Sequence, residues 1–379
     1  MMSELNSSSS SDPAGDYLSS PLYSRSLAGA LATGLSDHLT PEMLSRARRR
    51  LHRKALVIGL WYVGSFLAIL LTDGYLSLLS TMSFALALAG VGFNIQHDAN
   101  HNAFFASSTK RLSLANRIGG WSMYALGADA TRWRYRHNIL HHSSPNVTGV
   151  DSDIDLGPLA RFSPDQPHRP WHRYQHYYLW VLYLFTSLEI MFTDISSLVY
   201  EHRHPTPRRP RPSLPTWLTA ISTKLLALGV LIGLPMLFHP VPDVLLGALL
   251  VVFSAGLLLA LVFQPAHVVV GSAFNAKDSP RPRFHEAQLA STMDFAGKSY
   301  LSRAFSYYAG GLDHQVEHHL FPYLPHTVYP ELEDLVDRIA SSFSLTRQKS
   351  SSPLKALVLH YRHLRVMARP VSPPTGVKY

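Results

Sequence analysis

Long uncharged runs alternate with short basic blocks along the chain. Residues 55–72 form the first uncharged run, and after a turn-like Asp73-Gly74 a second run covers residues 75–95. Each run is long enough to cross the hydrocarbon core of a bilayer as a helix. The short connection predicts a helical hairpin that returns the chain to the side from which it started.

Three further apolar stretches cover residues 177–200, 217–238 and 244–263. An odd number of crossings here would separate the C-terminal part of the chain from the N-terminal part. Glu189 and Asp194 interrupt the first stretch, and charges near the middle of a bilayer are costly. We therefore assign that stretch to the membrane interface and the other two to a second hairpin.

Lys224 lies inside the second hairpin and counts against this assignment unless its long side chain reaches the near membrane surface. The predicted fold is an all-α polytopic membrane protein: four transmembrane helices in two hairpins, interfacial helices, and a cytoplasmic helical cap that holds the functional site. We divide the chain into a disordered Ser-rich tail at residues 1–45, a membrane-embedded catalytic domain at residues 46–345 and a basic tail at residues 346–379.

The composition agrees with a membrane protein. Charged residues make up 16% of the chain, whereas soluble globular proteins carry about 25%. The net charge of +9 is concentrated beside the apolar runs, first at residues 46–54 and again at residues 203–211. Such blocks mark cytoplasmic loops and argue against a nucleic-acid partner. Arginine outnumbers lysine, which favours a bacterial inner membrane over the endoplasmic reticulum.

Histidine is the abundant candidate metal ligand, since the chain has 21 histidines and no cysteine. Three clusters contain adjacent or regularly spaced histidines: His97-Asp98-Ala99-Asn100-His101, His137-Asn138-Ile139-Leu140-His141-His142 and Gln315-Val316-Glu317-His318-His319. Residues four apart share a helix face, so His97 and His101 suit one metal, and the second cluster repeats that spacing. Adjacent histidines diverge by about 100° around a helix and suit either two metals side by side or a locally distorted turn. Seven imidazoles exceed the needs of one ion and indicate a dinuclear site.

Metal-bound imidazoles need acceptors for their remaining ring protons. The candidate acceptors are polar residues near the clusters: Asp98, Asn100, Asn138, Glu317, Asp151, Asp153 and Asp155. The aspartates of residues 151–155 are equally suited to capping or solvating a loop. We expect the histidines of the basic loops to be interfacial or solvated, without a role: His168, His172, His176, His202 and His204.

The motifs HDANH, WRYRHNILHHSSPNVTGVDSDID and GGLDHQVEHHLFPYLP, in this order, resemble those of the membrane-bound fatty acid desaturase family. The resemblance covers residues 55–345 and is closest to acyl desaturases whose third motif begins with Gln, including linoleoyl-CoA and front-end types. It implies two non-haem iron ions, molecular oxygen (O2) and a fatty acyl substrate that loses two hydrogens. It also implies that His267, at the end of the fourth span, is a ligand. The implied ligand set is His97, His101, His137, His141, His142, His267, His318 and His319.

Gln315, Asp98 and Asn100 are added as candidate catalytic residues. Gln315 replaces a histidine found in many relatives and is suited to bind iron weakly through its carbonyl or through water. His314 stands where relatives carry an aromatic residue, and is either an extra metal neighbour or a polar substitute. The HPGG haem motif of the fused cytochrome b5 domain of relatives does not occur. We therefore expect a separate electron carrier, ferredoxin or cytochrome b5 with its reductase.

Neutral nitrogen ligands leave iron strongly electrophilic, which suits oxidation of an unactivated hydrocarbon. An acyl hydroxylase or acetylenase of the same superfamily has the same motifs, and the sequence does not separate these activities. A metal transporter is disfavoured because its histidines would lie near mid-bilayer, and a zinc hydrolase because the HExxH motif is missing. The acyl group could be carried on coenzyme A, acyl carrier protein or a lipid of the bilayer.

Overall fold

The computed structural model describes residues 26–370 except 108–110, 208 and 281. Arg208 of the predicted basic loop therefore lies outside the described residues, as do residues 1–25 and 371–379 of the two predicted tails. In the described part of the chain nearly all regular structure is helical, which confirms the predicted fold class.

The α-helices are α1 (Leu27–His38), α2 (Pro41–Leu71), α3 (Gly74–Val91), α4 (His97–Asn100), α5 (Leu114–Gly120), α6 (Ala130–Arg134), α7 (Gln175–Leu182), α8 (Thr186–Arg203), α9 (Leu214–Leu228), α10 (Val241–His267), α11 (Phe284–Ser291), α12 (Tyr300–Tyr308), α13 (Gln315–Leu320), α14 (Tyr329–Ser342) and α15 (Pro353–Met367). Within residues 26–370, where the structure describes them, three segments are π-helical: Gly92–Gln96, Tyr135–His141 and Gly229–Gly233. The 3-10 turns are Trp121–Leu126, Ser152–Ile154, Gly157–Leu159, Pro170–Tyr174, Tyr183–Phe185, Pro235–Leu237 and His326–Val328. Two parallel pairs of short strands join distant segments: β1 (Val147–Thr148) with β2 (Asn275–Ala276), and β3 (Met293–Asp294) with β4 (Gln348–Lys349).

α2 and α3 form the first predicted hairpin. Thr40 caps the start of α2 by accepting a hydrogen bond from the main-chain N of Met43 at 3.2 Å. The turn between the helices holds Gly74 at φ +58°, a left-handed conformation that glycine adopts readily. The indole N–H of Trp61 donates to Ser83 Oγ at 2.8 Å and links the two helices.

Among the described residues, five helical segments are long and apolar enough to cross a membrane: Pro41–Leu71, Gly74–Asn100, Pro170–Arg203, Leu214–Leu237 and Val241–His267. The chain is thus a multi-pass integral membrane protein. Four of these segments are the predicted crossings. The fifth, Pro170–Arg203, is the least apolar and contains the stretch that we assign to the interface. Four crossings stay a prediction that rests on parity.

Three charged residues of α8 and α9 have partners of opposite charge: Glu189, Asp194 and Lys224. Lys224 is buried and its ammonium contacts the carboxylate of Asp194. Glu189 accepts a hydrogen bond from Arg136 at 2.7 Å. Lys224 therefore does not need to reach the membrane surface, because the aspartate that interrupts the preceding apolar stretch neutralises it.

α1 and the start of α2 lie in the segment predicted to be a disordered tail. Leu27 and Leu31 of α1 are buried against α14, in one cluster with Leu332 and Val336. The expectation of disorder is wrong for residues 26–45, since these residues bury apolar side chains in the folded protein. The boundaries of the catalytic domain stay predictions.

The predicted C-terminal tail contributes α15, which packs against the end of α10. The Nδ1–H of buried His360 donates to the main-chain carbonyl of Val268 at 2.6 Å, and its Nε2 accepts from the Tyr183 hydroxyl at 2.7 Å. Burial lowers the pKa of His360 to about 4, so the ring is neutral at pH 7. This tail therefore supports the segment that directly follows His267.

Candidate metal centre

All eight predicted histidine ligands converge on one buried site, and each is at most 7% exposed. They come from four parts of the chain: His97 and His101; His137, His141 and His142; His267; and His318 and His319. The first part includes α4, the second the π-helical segment Tyr135–His141, the third the end of α10, and the fourth α13. The site thus gathers residues that are far apart in the sequence.

The ring nitrogens form two adjacent groups. The first histidine cluster consists of His97, His101, His137 and His318, and the second of His141, His267 and His319. Within each cluster all ligand atoms lie within 4.8 Å of one another. Two nitrogens bound to one ion at about 2.0–2.1 Å are at most about 4.2 Å apart, so small side-chain movements suffice to hold an ion in each cluster. His142 forms a third group with His318 and His319, and so bridges the two clusters.

The second motif is wound differently from the predicted α-helix. Residues 135–141 are π-helical, and the main-chain N of His142 donates to the carbonyl of His137 at 2.9 Å, across five residues. His142 therefore faces His137, and their Nε2 atoms are 3.3 Å apart. His141 also belongs to the second cluster, whereas His137 belongs to the first, and the predicted pair His137 and His141 shares a further possible donor group with Asp153.

Four histidines donate their second ring N–H to a fixed acceptor. The pairs are His141 Nδ1 with the Asp151 carboxylate at 3.1 Å, His267 Nδ1 with Ser291 O at 3.2 Å, His318 Nδ1 with the Tyr329 hydroxyl at 3.3 Å, and His319 Nδ1 with Gln288 Oε1 at 2.8 Å. Such bonds fix the tautomer and leave Nε2 free for a metal. Only Asp151 was predicted. Gln288, Ser291 and Tyr329 were missed because no local spacing distinguishes them from ordinary helix residues.

The remaining nitrogens fit metal coordination. Among the eight predicted ligands, the following buried ring atoms have no hydrogen-bond partner within the described residues: Nε2 of His97, His101, His318 and His319, and Nδ1 of His142. A buried polar atom without a partner costs about 1–3 kcal/mol, and coordination to a metal would remove that cost. The residues present therefore fit metal ions held mainly by nitrogen.

Burial keeps most of these rings neutral. It lowers the pKa of His137 to about 3, and together with neighbouring imidazoles it holds the pKa of His318 and His319 well below the usual range. His141 differs: burial acts to lower its pKa, but the carboxylates of Asp151 and Asp153 raise it to about 9. Neutral imidazole is the form that binds metals, so the electrostatics of the first cluster favour coordination.

Gln315 lies beside the second cluster. Its Nε2 is 3.0 Å from His267 Nε2, and its Oε1 lacks a hydrogen-bond partner in the described part of the chain. A half-turn of the amide would bring the carbonyl oxygen to the same distance from His267. Two ligands bound to one ion at right angles are about 3 Å apart, so Gln315 is positioned to share an ion with His267.

Asp98 and Asn100 contact the clusters less directly than predicted. One oxygen of Asp98 accepts from His326 Nδ1 at 3.0 Å, whereas the other is 3.9 Å from His97 Nδ1. Asn100 accepts from Arg134 Nη1 at 2.9 Å, and its side-chain hydrogen bonds go to groups other than imidazoles. Both residues connect α4 to neighbouring segments.

The other predicted acceptors are divided. Asp153 lies 3.7 Å from His141 Nδ1 and forms a further possible donor group with His137 and His141. Asp155 is exposed and bonds within its own turn. Asn138 donates to the carbonyl of Asn100 at 3.0 Å. These last two residues bond away from the ring nitrogens.

Glu317 belongs to α13, and His314 directly precedes that helix. Glu317 forms an ion pair with buried Arg347. His314 Nδ1 is 3.9 Å from the Glu317 carboxylate, and within the described residues His314 belongs to none of the donor groups. His314 therefore lies outside both histidine clusters, although its Nδ1 is also buried without a hydrogen-bond partner in the described part of the chain.

His172, expected to be solvated, is buried. Its Nε2 donates to the carbonyl of Pro158 at 2.9 Å, and its Nδ1 accepts from the main-chain N of Arg169 at 3.1 Å. The expectation is wrong for His172 because the 3-10 turn after Arg169 directs the ring inward. His202 and His204 are exposed, as expected.

Comparison with known proteins identifies desaturases as relatives of this chain. The sequence model of the family described as fatty acid desaturase matches residues 73–350. The sn-1 linoleoyl-lipid 6-desaturase of Synechocystis sp. is 32% identical over 335 residues, which are 86% of this chain and 91% of that protein. The protein of the same name from Arthrospira platensis is 27% identical over 90% of this chain and 92% of its own length. The acyl-lipid (8-3)-desaturase of Physcomitrium patens is 30% identical over 83% of this chain and 65% of its own length.

Proposed function

We propose that the chain, which belongs to the fatty acid desaturase family and is a membrane oxidoreductase that desaturates fatty acyl chains, holds iron in its two histidine clusters. We also propose that its substrate is an acyl chain carried on a membrane lipid. The observation that carries the proposal is the convergence of eight buried histidines into two adjacent groups of ring nitrogens.

When bound, a pair of iron ions with O2 supplies an oxidant able to remove hydrogen from an unactivated C–H bond. The balanced reaction takes one acyl CH2–CH2, O2, two electrons and two protons, and gives one CH=CH and two waters. The chain contains no cysteine, so it has no dithiol or cysteine-ligated cluster from which to supply the electrons. We propose that a separate ferredoxin, or cytochrome b5 with its reductase, delivers them.

The chain's own residues hold and orient the site. The first histidine cluster offers four nitrogens, and the second offers three nitrogens together with the Gln315 carbonyl. Asp151 and Gln288 fix two of the rings, and Trp133 stacks on His137 with the ring centres 4.4 Å apart. This stacking restricts the rotation of His137 and shields one side of the ring from water.

A small cavity adjoins the second cluster. It has a volume of about 30 Å3 and is lined by His141, His267, Gln315, Phe263 and Gln264, among others. That volume suits one molecule of the size of water or O2. The acyl chain itself needs more room, and we propose that it approaches from the apolar core between α3 and α10.

The carrier and the position of the double bond are proposed from the relatives. The two cyanobacterial proteins, aligned over more than nine-tenths of their length, are linoleoyl-lipid 6-desaturases. This supports a lipid-linked substrate over acyl-coenzyme A or acyl carrier protein, and a new double bond at position 6. A double bond there lies between the carboxyl end and an existing one, in keeping with the Gln-type third motif.

We also propose that the site faces the cytoplasm, in a bacterial inner membrane. His141 and His267 lie with ring centres 4.5 Å apart, and three apolar helical segments separate them in the sequence. A chain that leaves a site and returns to it crosses the membrane an even number of times, so one of the three does not cross. Pro170–Arg203, with its paired Glu189 and Asp194, is the segment that we assign to the interface.

The test is expression of the full chain with an electron carrier and its reductase, followed by mass spectrometry that locates double bonds in each lipid class. We expect a new double bond at position 6 in glycerolipid acyl chains, made by the unaltered chain and by His204→Ala, but not by His318→Ala. Early product on coenzyme A or acyl carrier protein would contradict the lipid carrier. A hydroxyl or alkyne product would instead identify the protein as an acyl hydroxylase or an acetylenase.

A further inference from the structure

A pocket of about 450 Å3 opens beside the N-terminal half of α2, outside the histidine clusters. Its α2 wall carries Arg50, Arg53 and Lys54, which lie three and four residues apart and so share one helix face. Tyr307 and His326 contribute to the opposite wall. None of the described residues that line the pocket is acidic.

Lys54 lies at the bottom of this pocket and is only 4% exposed. Its Nζ donates to His326 Nε2 at 3.0 Å and lies 4.5 Å from the ring centre of Tyr307. His326 Nδ1 is already bonded to Asp98, so the aspartate lies behind the imidazole and forms no direct ion pair with the ammonium. Lys54 therefore keeps N–H groups for a ligand in the pocket.

The two arginines differ in how far they are neutralised. Arg50 is oriented by the carbonyl of Thr327 at 3.2 Å and by an ion pair with Glu331. Arg53 is exposed and forms no ion pair with any described residue. With Arg50 balanced by Glu331, the amino group of Lys54 remains buried without a direct acidic partner, and an anion in the pocket would offset the cost of burying its positive charge. Arg53 adds an exposed positive charge at the wall of the pocket.

The pocket lies where the basic half of α2 meets its apolar half. Val57, on the rim, is 58% exposed, and Leu60, one turn further, is 65% exposed. In a membrane-spanning helix such residues face lipid, and the basic residues just before them lie at the depth of the headgroups. Tyr307 on the opposite wall is exposed, and tyrosine is enriched at the same depth.

We propose that this pocket binds a phosphate group, either that of a membrane phospholipid or a free phosphate. Lys54 and Arg53 donate hydrogen bonds to the phosphate oxygens. Arg50 holds α2 against α14 through its contacts with Thr327 and Glu331. The apolar rim at Val57 and Leu60 gives the acyl chains of a lipid a surface to follow, so the lipid is the ligand that should bind more tightly. The site is separate from the metal centre and does not depend on the proposed substrate.

The experiment measures binding to the purified, metal-loaded full chain in detergent by titration calorimetry. The probes are dioctanoyl phosphatidylglycerol, inorganic phosphate and dioctanoylglycerol, which lacks the phosphate. Arg53→Gln removes a pocket charge, and Arg46→Gln is the matched control, because Arg46 is exposed on the same helix but does not line the pocket. Lys54→Gln is a second variant that acts at the bottom of the pocket.

We expect Arg53→Gln to raise the Kd for phosphatidylglycerol about tenfold or more, the usual effect of losing a hydrogen bond to a charged group. Lys54→Gln should do the same, and Arg46→Gln should change the Kd less than about twofold. Phosphatidylglycerol binding tighter than phosphate identifies a lipid site, and the reverse order identifies a site for free phosphate; both support the proposal. Equal losses in Arg46→Gln and Arg53→Gln, binding of dioctanoylglycerol as tight as that of phosphatidylglycerol, or binding of neither phosphate probe would overturn it.

Discussion

The side-chain amide of Asn146 donates a hydrogen bond to the main-chain carbonyl of His267 at 3.1 Å, and so ties the second histidine motif to the end of α10. The same Nδ2 lies 3.3 Å from the carbonyl of Ser291, which accepts from His267 Nδ1. The main-chain N of Asn146 donates to Asp151, which accepts from His141. One buried residue, at φ +58°, thus fixes the surroundings of two histidines of the second cluster.

Asn146→Ala should destabilise the protein by about 2 kcal/mol, because buried carbonyls lose their donor, and should lower the metal content from about two ions toward one. Thermal unfolding in detergent and elemental analysis measure the two effects. Asn146→Gly relaxes the left-handed backbone and should regain stability but not metal. An alanine variant with an unchanged Tm and full metal content would show that Asn146 does not position the second cluster.

His318→Ala and His319→Ala each remove a nitrogen from the site, so product formation should fall below detection even though the protein still inserts into the membrane. His204→Ala is the control, because His204 is exposed. His172→Ala should instead lower the Tm and leave the metal content unchanged, since His172 is buried and, within the described residues, belongs to none of the donor groups. Undiminished turnover in both the His318 and His319 variants would sink the di-iron proposal.

Substitutions of Gln315 test whether this residue provides an oxygen ligand in the second cluster. Gln315→His supplies a stronger metal ligand beside His267 and should keep desaturase activity. Gln315→Ala should lower that activity at least about tenfold. Both variants are compared in the lipid assay at equal protein content. If the alanine variant keeps full turnover, Gln315 has no part in binding the metal.

The topology can be tested directly because the chain has no native cysteine. Single cysteines in place of the exposed residues Asp165 and Ser279 should react only with a reagent on the cytoplasmic side. A cysteine in place of Asp73, in the turn of the first hairpin, should react only from the opposite side and serves as the control. Labelling of Asp165→Cys from outside would mean that the parity argument is wrong.

His360 predicts a pH-dependent contribution to stability. Its folded-state pKa of about 4 lies below the ordinary value near 6.5, so the neutral ring stabilises the fold above pH 6.5, and that contribution is lost as the pH falls toward 4. The full difference is about 3 kcal/mol. The Tm advantage of the unaltered protein over His360→Gln should therefore shrink between pH 6.5 and 4. A constant advantage over that range would contradict this account.

The membrane spans and the histidine motifs were predictable because both are local properties. Residues 55–72 and 75–95 are long enough to span by simple length, and the Asp73-Gly74 turn lies between them. The spacing of His97 and His101 likewise carries its geometry in the sequence, and the structure assigns both to one cluster.

The rest depends on contacts between distant segments. In the sequence, Lys224 is a charged residue inside an apolar stretch, and only the structure shows that Asp194 pairs with it. The π-helical winding that turns His142 toward His137 follows from packing and not from the spacing of HNILHH. Gln288 accepts a hydrogen bond from His319 only because α11 packs against α13, and no pattern in the sequence predicts that contact.

The histidine clusters join four distant segments in a chain without cysteine. An ion in either cluster closes long loops, much as a disulfide does, so the free energy of metal binding is also free energy of folding. Without metal, the unpaired nitrogens of His97 and His318 would be left buried, and α4 and α13 would separate more easily. The supply of metal would then set how long each copy of the protein survives the cell's proteases, and not only how fast it works.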